Sequence, residues 1–178
     1  AGNPEGATID HYHTYNAFRM GLGVAEGTEL DSRMPLECNL DALNAISFDK
    51  GCYVGQELVA RTHYKGKIRK RIMPFTVDSP ARMQSLLNAV GDQDTAMAAL
   101  SAHVESETEG RARRAQARLV ALAEDGACGL AMVRLEALPD GDEPLRFEIS
   151  SESQDVGDEK VIASLSRPAW WPASYLQS

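Results

Sequence analysis

The feature that most restricts the fold is the rhythm of the last third of the chain. ARLVALA (117–123), GLAMVRLEAL (129–138), LRFEIS (145–150) and KVIASL (160–165) are short apolar runs. They are separated by EDGACG, PDGDEP and ESQDVGDE, whose Gly, Pro, Asp and Ser favour turns. Strands at this spacing predict a small antiparallel barrel or sandwich. Residues 67–77 read as a further strand, with Ile68, Ile72 and Phe75 as apolar contacts. Pro74 lacks a ladder donor and predicts an edge or a bulge there.

The first part of the chain is of a different kind. Asp10 predicts a capped helix over 11–22, with Tyr12, Tyr15, Phe18 and Leu22 on one broad face and Gly21 and Gly23 at its end. A loop-like stretch, GVAEGTELDSRMP, follows, then the apolar pieces LECNL and AISF, the second reading as a strand. Residues 57–65 predict a short helix stopped by Gly66, with Glu57 early and Arg61 and Lys65 late, as the helix dipole favours. Ser79-Pro80 opens another helix, with Met83, Leu86, Leu87 and Val90 at helical spacing and Gly91 closing it. Residues 92–115, rich in Ala, Glu and Arg, predict an exposed, partly helical insertion. Arg111, Arg113, Arg114 and Arg118 read as a solvated face. The Pro-flanked Trp170 and Trp171 predict a plug packed back on the body.

Charge and cysteines narrow the function classes. The net charge of −8 conceals a basic stretch: between Lys50 and Arg71 there are seven Lys and Arg against one acid, Glu57. A cationic patch on an acidic protein suits an anionic ligand or an acidic partner, and general nucleic-acid binding fits less well. No apolar run is long enough to span a membrane. The N-terminus carries no secretory or amphipathic Arg-rich leader. Three separated cysteines (Cys38, Cys52 and Cys128), with no CxxC pair, predict neither a disulfide framework nor a closed zinc site. Cys38 and Cys128 lie in apolar context and read as core. His11 and His13, two apart on a helix, do not face each other, and His63 has no assigned role.

Cys52 stands in KGCYVGQE, Lys50 to Glu57. Gly51 and Gly55 allow a tight turn and close approach of another molecule. A turn into a helix N-terminus, with Lys50 nearby, favours the thiolate, the form that binds metal. With its surroundings, RMPLECNLDALNAISFDKGCYVGQELVART, this motif resembles the mitochondrial iron–sulfur cluster assembly factors of the folate-binding, glycine-cleavage aminomethyltransferase-like superfamily. YNAFRMGLGV and GLAMVRLEAL resemble a helix upstream and a barrel strand downstream in that family. The likeness is strong over 10–78, loose over 116–172, and covers only the C-terminal half of such proteins.

The resemblance implies an α+β chain. Residues 1–66 are the end of a ferredoxin-like, aminomethyltransferase-like folate-binding domain. Residues 67–178 are a small antiparallel β-barrel with a helical insertion at about 79–115. The implied function is assembly rather than turnover: maturation of [4Fe–4S] proteins in the mitochondrial matrix, after removal of a transit peptide. Cys52 is implied as a ligand of a [2Fe–2S] cluster shared with an A-type carrier, since one cysteine cannot hold a cluster alone. Lys50, Gly51, Tyr53, Gly55, Gln56 and Glu57 support the motif. Arg19, Arg61, Lys65 and Lys67 are implied contacts for folate, another anion or a partner. Tetrahydrofolate, glutathione and the missing N-terminal half of the same protein are further implied ligands or partners. The alternatives are a folate-dependent one-carbon or aminomethyl transferase, and a non-catalytic adaptor that meets the carrier through Arg69, Lys70 and Arg71.

Overall fold

The computed structural model describes residues 11–90, 100–104, 117–139, 141–151, 160–172 and 175. Among the described residues three α-helices, α1 (His11–Gly21), α2 (Gln56–Lys65) and α3 (Pro80–Val90), accompany six strands. The strands are β1 (Lys70–Val77), β2 (Leu100–Val104), β3 (Ala117–Leu122), β4 (Cys128–Arg134), β5 (Leu145–Ser151) and β6 (Lys160–Leu165). All pairings are antiparallel, and the sheet curls shut in the order β1–β4–β3–β2–β5–β6. Among the described residues the seam between β2 and β3 shows one register pair, Ala102 with Ala117. The four late strands thus match the sequence pattern, and the barrel prevails over the sandwich.

Strand periodicity sets two cores. Met73, Phe75 and Val77 of β1 point inward with Ala131 and Val133 of β4 and Phe147 and Ile149 of β5. Phe75 and Phe147 meet edge to face at 5.5 Å. Gly129, opposite Phe75 in register, makes room for that ring, since a Cβ there would stand 2.6 Å from Phe75 Cζ. The outward residues Ile72, Leu130 and Met132 are buried too, beneath Met20 of α1, Ala25 and Cys38. Covered on both faces, β1 and β4 carry unbroken apolar runs rather than alternating ones.

Several expectations change. Pro74 lies at neither an edge nor a bulge: β1 is paired on both sides, and its ladder with β4 runs through Pro74 without a shift. The ladder with β6 begins at Phe75, so the absent N–H falls where that pairing stops. Residues 45–48 form no strand. On α1 the buried side chains are Arg19 and Met20, while Tyr12, Tyr15, Phe18 and Leu22 face outward, Phe18 being 66% exposed. The segment 79–115 is not all insertion. Met83, Leu86 and Leu87 of α3 sit in the inner core, and 100–104 is a barrel strand. Asp10, Gly91, Arg111, Arg113, Arg114 and the rest of that segment lie outside the described residues, whereas Arg118 is exposed.

Arg71 departs furthest from the sequence reading. It does not belong to the exposed basic patch, because its β1 position points it into the end of the barrel, where it is 2% exposed. Its guanidinium donates to both Asp41 carboxylate oxygens at 2.9 Å and to the Leu36 carbonyl at 2.7 Å. Tyr175 donates to Asp41 at 2.6 Å, and its ring lies 3.8 Å from the guanidinium. Trp171 donates to Asn39 Oδ1 at 3.3 Å, and Trp170 to the Leu22 carbonyl at 2.8 Å. The tryptophan segment therefore straps the barrel to the 36–41 bend, as the plug reading requires.

Burial alone would raise the Asp41 pKa, but the hydrogen bonds from Arg71 and Tyr175 and the adjacent positive charge outweigh it and lower the value. A lowered folded pKa stabilises the fold above the unfolded carboxylate value, and that stabilisation is lost in acid. Asp41→Ala strands a buried guanidinium and is expected to cost about 3–5 kcal/mol near neutrality. Urea unfolding at pH 7 and again below about pH 3, under the ordinary carboxylate range, checks this. The wild-type advantage should shrink at the lower pH.

Candidate functional site

The KGCYVGQE segment forms an exposed bend that leads into α2. Gly55 precedes the helix with φ +86°, a left-handed conformation that strains side-chain-bearing residues. Gln56 and Tyr53 lock the bend reciprocally. The Gln56 N–H donates to the Tyr53 carbonyl at 3.1 Å, and the Tyr53 N–H to Gln56 Oε1 at 3.2 Å. The Lys50 ammonium stands 4.6 Å from the Tyr53 ring centroid. Glu57 is exposed in the first turn of α2, where the dipole favours an acid. Val59 anchors the helix in the body.

Cys52 is the exposed member of the three free cysteines. Built Cβ atoms at Gly51 and Gly55 meet nothing within 4 Å, so the bend is open on the sides those positions face. Fully exposed Val54 and half-exposed Leu58 stand near Cys52 in the chain. Cys38 is core and Cys128 half-buried, its thiol donating to the Ala17 carbonyl at 3.5 Å. Burial raises the pKa of both thiols, disfavouring the thiolate that binds metal. Among the described residues, no three His, Cys, Asp or Glu side chains converge to hold a metal ion. Cys52 can therefore offer one sulfur ligand to a metal centre whose other ligands come from elsewhere.

The implied cationic contacts divide. Arg19 is buried and satisfied internally. It donates to both Glu29 oxygens at 2.7 and 2.8 Å, to Asn16 at 3.0 Å and to the Val24 carbonyl at 3.1 Å. The hydrogen bond to Glu29 is the main reason its pKa is raised. Arg61, Lys65 and Lys67 are exposed, and Lys67 borders two cavities. Lys70 pairs with Glu37 at 3.4 Å. His63 stacks on Phe48 at 3.7 Å with Tyr64 edge-on at 4.8 Å, and His13 pairs with Glu124 at 2.6 Å. The exposed pair Val54 and Leu58 escaped the sequence reading, although two apolar residues inside an otherwise polar bend were a visible signal.

Similarity to known proteins decides the family. No protein-family model matches the chain. The iron–sulfur cluster assembly factor IBA57 of Mus musculus is 37% identical over 163 residues, covering 90% of this chain and 38% of that protein. The mitochondrial IBA57 homologue of Mycosarcoma maydis is 34% identical over 190 residues, covering 93% and 46%. That of Aspergillus fumigatus is 42% identical over 131 residues, covering 71% and 29%. The chain belongs to the IBA57 family. It spans less than half the length of these curated relatives. IBA57 relatives are named as mitochondrial, and this chain is assigned to the mitochondrion with them. Among the described residues, no helix is long and apolar enough to cross a membrane.

Two measurements check the geometry of the bend. Gly55→Ala should destabilise the protein by about 1 kcal/mol through its left-handed φ, while Gly51→Ala leaves the melting temperature unchanged. A thiol reagent should label Cys52 first in the native protein and reach Cys38 only on unfolding, as read by peptide mass mapping.

Proposed function

We propose that this IBA57-family chain acts in mitochondrial iron–sulfur cluster assembly, with Cys52 lending one thiolate to a [2Fe–2S] cluster shared with an A-type carrier. The observation that carries the reading is the placement of an exposed sulfur on an uncrowded, hydrogen-bond-locked bend. Thiolate sulfur suits iron, and a donor that stands alone requires ligands from a second molecule. The cluster is cargo, and this chain's part is to present the sulfur, hold the bend through Gln56 and Tyr53, and receive the partner. Maturation of [4Fe–4S] proteins in the matrix, with glutathione as an auxiliary thiol, belongs to the same reading. So does packing against the remainder of the full-length protein. In the same reading tetrahydrofolate is a ligand of the whole protein. Arg19, already bonded to Glu29, Asn16 and Val24, supports a structural role for that residue instead.

A second reading is an adaptor that engages the carrier by charge, with Cys52 incidental. It is favoured by the outward placement of Arg61 and Lys65 one helical turn apart on α2, beside exposed Leu58. Arg71, being buried, takes no part in either version.

Anaerobic mixing of the full-length protein with an A-type carrier, followed by visible absorbance and native mass, separates the two. Cys52→Ser is expected to keep the fold and abolish the shared charge-transfer bands. An undiminished spectrum in that variant would sink the ligand role. Loss of the complex on Arg61→Glu with Lys65→Glu, while Cys52→Ser remains active, would instead establish the adaptor.

A further inference from the structure

A cavity of about 450 Å³ lies beside the start of β1, away from the residues of the Cys52 bend. Its wall brings Arg167 together with Lys67 and Arg69, about a hundred residues earlier in the chain, with Leu138 and Pro139 as apolar lining. Among the described lining residues Glu136 is the single carboxylate, and it already pairs with Arg134 at 3.6 Å. Among the described residues, none of Lys67, Arg69 and Arg167 has a carboxylate partner.

Arg167 is the decisive residue. Its Nη2 donates to the Pro139 carbonyl at 2.6 Å, but Nε and Nη1 are shut off from solvent and find no hydrogen-bond acceptor among the described residues. Charged donors held from water without a partner are costly, and structural arginines ordinarily find carboxylates, as Arg19 and Arg71 do here. A guanidinium in this condition at the wall of a cavity that holds two more cations has the chemistry of an anion receptor.

We infer that this cavity binds a small multivalent anion carrying carboxylate or phosphate groups, with Arg167 as the anchor and Lys67 and Arg69 at the mouth. A small shift of the Arg167 side chain presents its unpaired N–H groups to an anionic oxygen. The leucine and proline wall takes the carbon skeleton of the ligand. The proposal is independent of the role given to Cys52, since none of the bend residues lines the cavity.

The test is calorimetric titration of the full-length protein with pyrophosphate and, separately, with tricarballylate, each followed by a thermal melt. Saturable binding of either anion with a rise in melting temperature is expected, and the tighter of the two identifies the head group as phosphate or carboxylate. Arg167→Gln should weaken that binding about tenfold or more, the worth of a charged hydrogen bond. The exposed-site double variant Lys67→Gln with Arg69→Gln should weaken it several-fold and flatten its salt dependence, which keeps the idea testable if Arg167→Gln does not fold. Cys52→Ser should bind as wild type. Absence of saturable binding for both anions, or unchanged affinity in the Arg167 and Lys67/Arg69 variants, overturns the inference.

Discussion

The buried pairing of Arg71 with Asp41 is the contact on which the arrangement of the chain depends. A guanidinium enclosed at the end of β1 is tolerable only with a carboxylate and further acceptors at hand. Those acceptors come from the 36–41 bend, which lies on the outer face of the barrel. Tyr175 then closes over both partners from the other end of the chain. One charge thus ties three distant segments together. The bend that carries Cys52 hangs between two parts fixed in this way, the 36–41 bend before it and β1 after it.

What could be read from the sequence follows from the range of the forces involved. The strands 117–165 and the helices α2 and α3 were legible because apolar period and turn chemistry are local. The Cys52 motif was legible because its glycines and cysteine are contiguous. Arg71 was misread because a run of Lys and Arg looks alike residue by residue. The alternation of β1 decides which of Arg69, Lys70 and Arg71 turns inward, and the partner Asp41 carries no mark of its own. The apolar stripe of α1 was assigned correctly as a stripe, yet the barrel takes Met20 and Arg19 instead. Which side a helix buries depends on what it meets. The cationic cavity is made only by the fold, since Lys67 and Arg167 lie a hundred residues apart.

The three cysteines show how surroundings sort identical side chains. Burial raises the pKa of Cys38, which covers the barrel's outer face, and of Cys128, which is hydrogen-bonded to Ala17. Cys52 meets neither condition, and its bend is held by backbone and amide hydrogen bonds that leave the sulfur uncommitted. The same contrast runs through the arginines. Arg19 and Arg71 are structural because carboxylates answer them, and Arg167 differs because none among the described residues does.

The closure of the barrel between β1 and β6 also bears on how the molecule is made. The first described barrel strand must wait for the last, with eighty-seven residues emerging between Thr76 and its partner Ser164. Until then one rim of β1 shows bare amides and carbonyls, an invitation to stray pairing with other chains. Closing this barrel therefore rests on a long-range pairing, the kind of contact whose loop-closure cost slows folding relative to local helix formation.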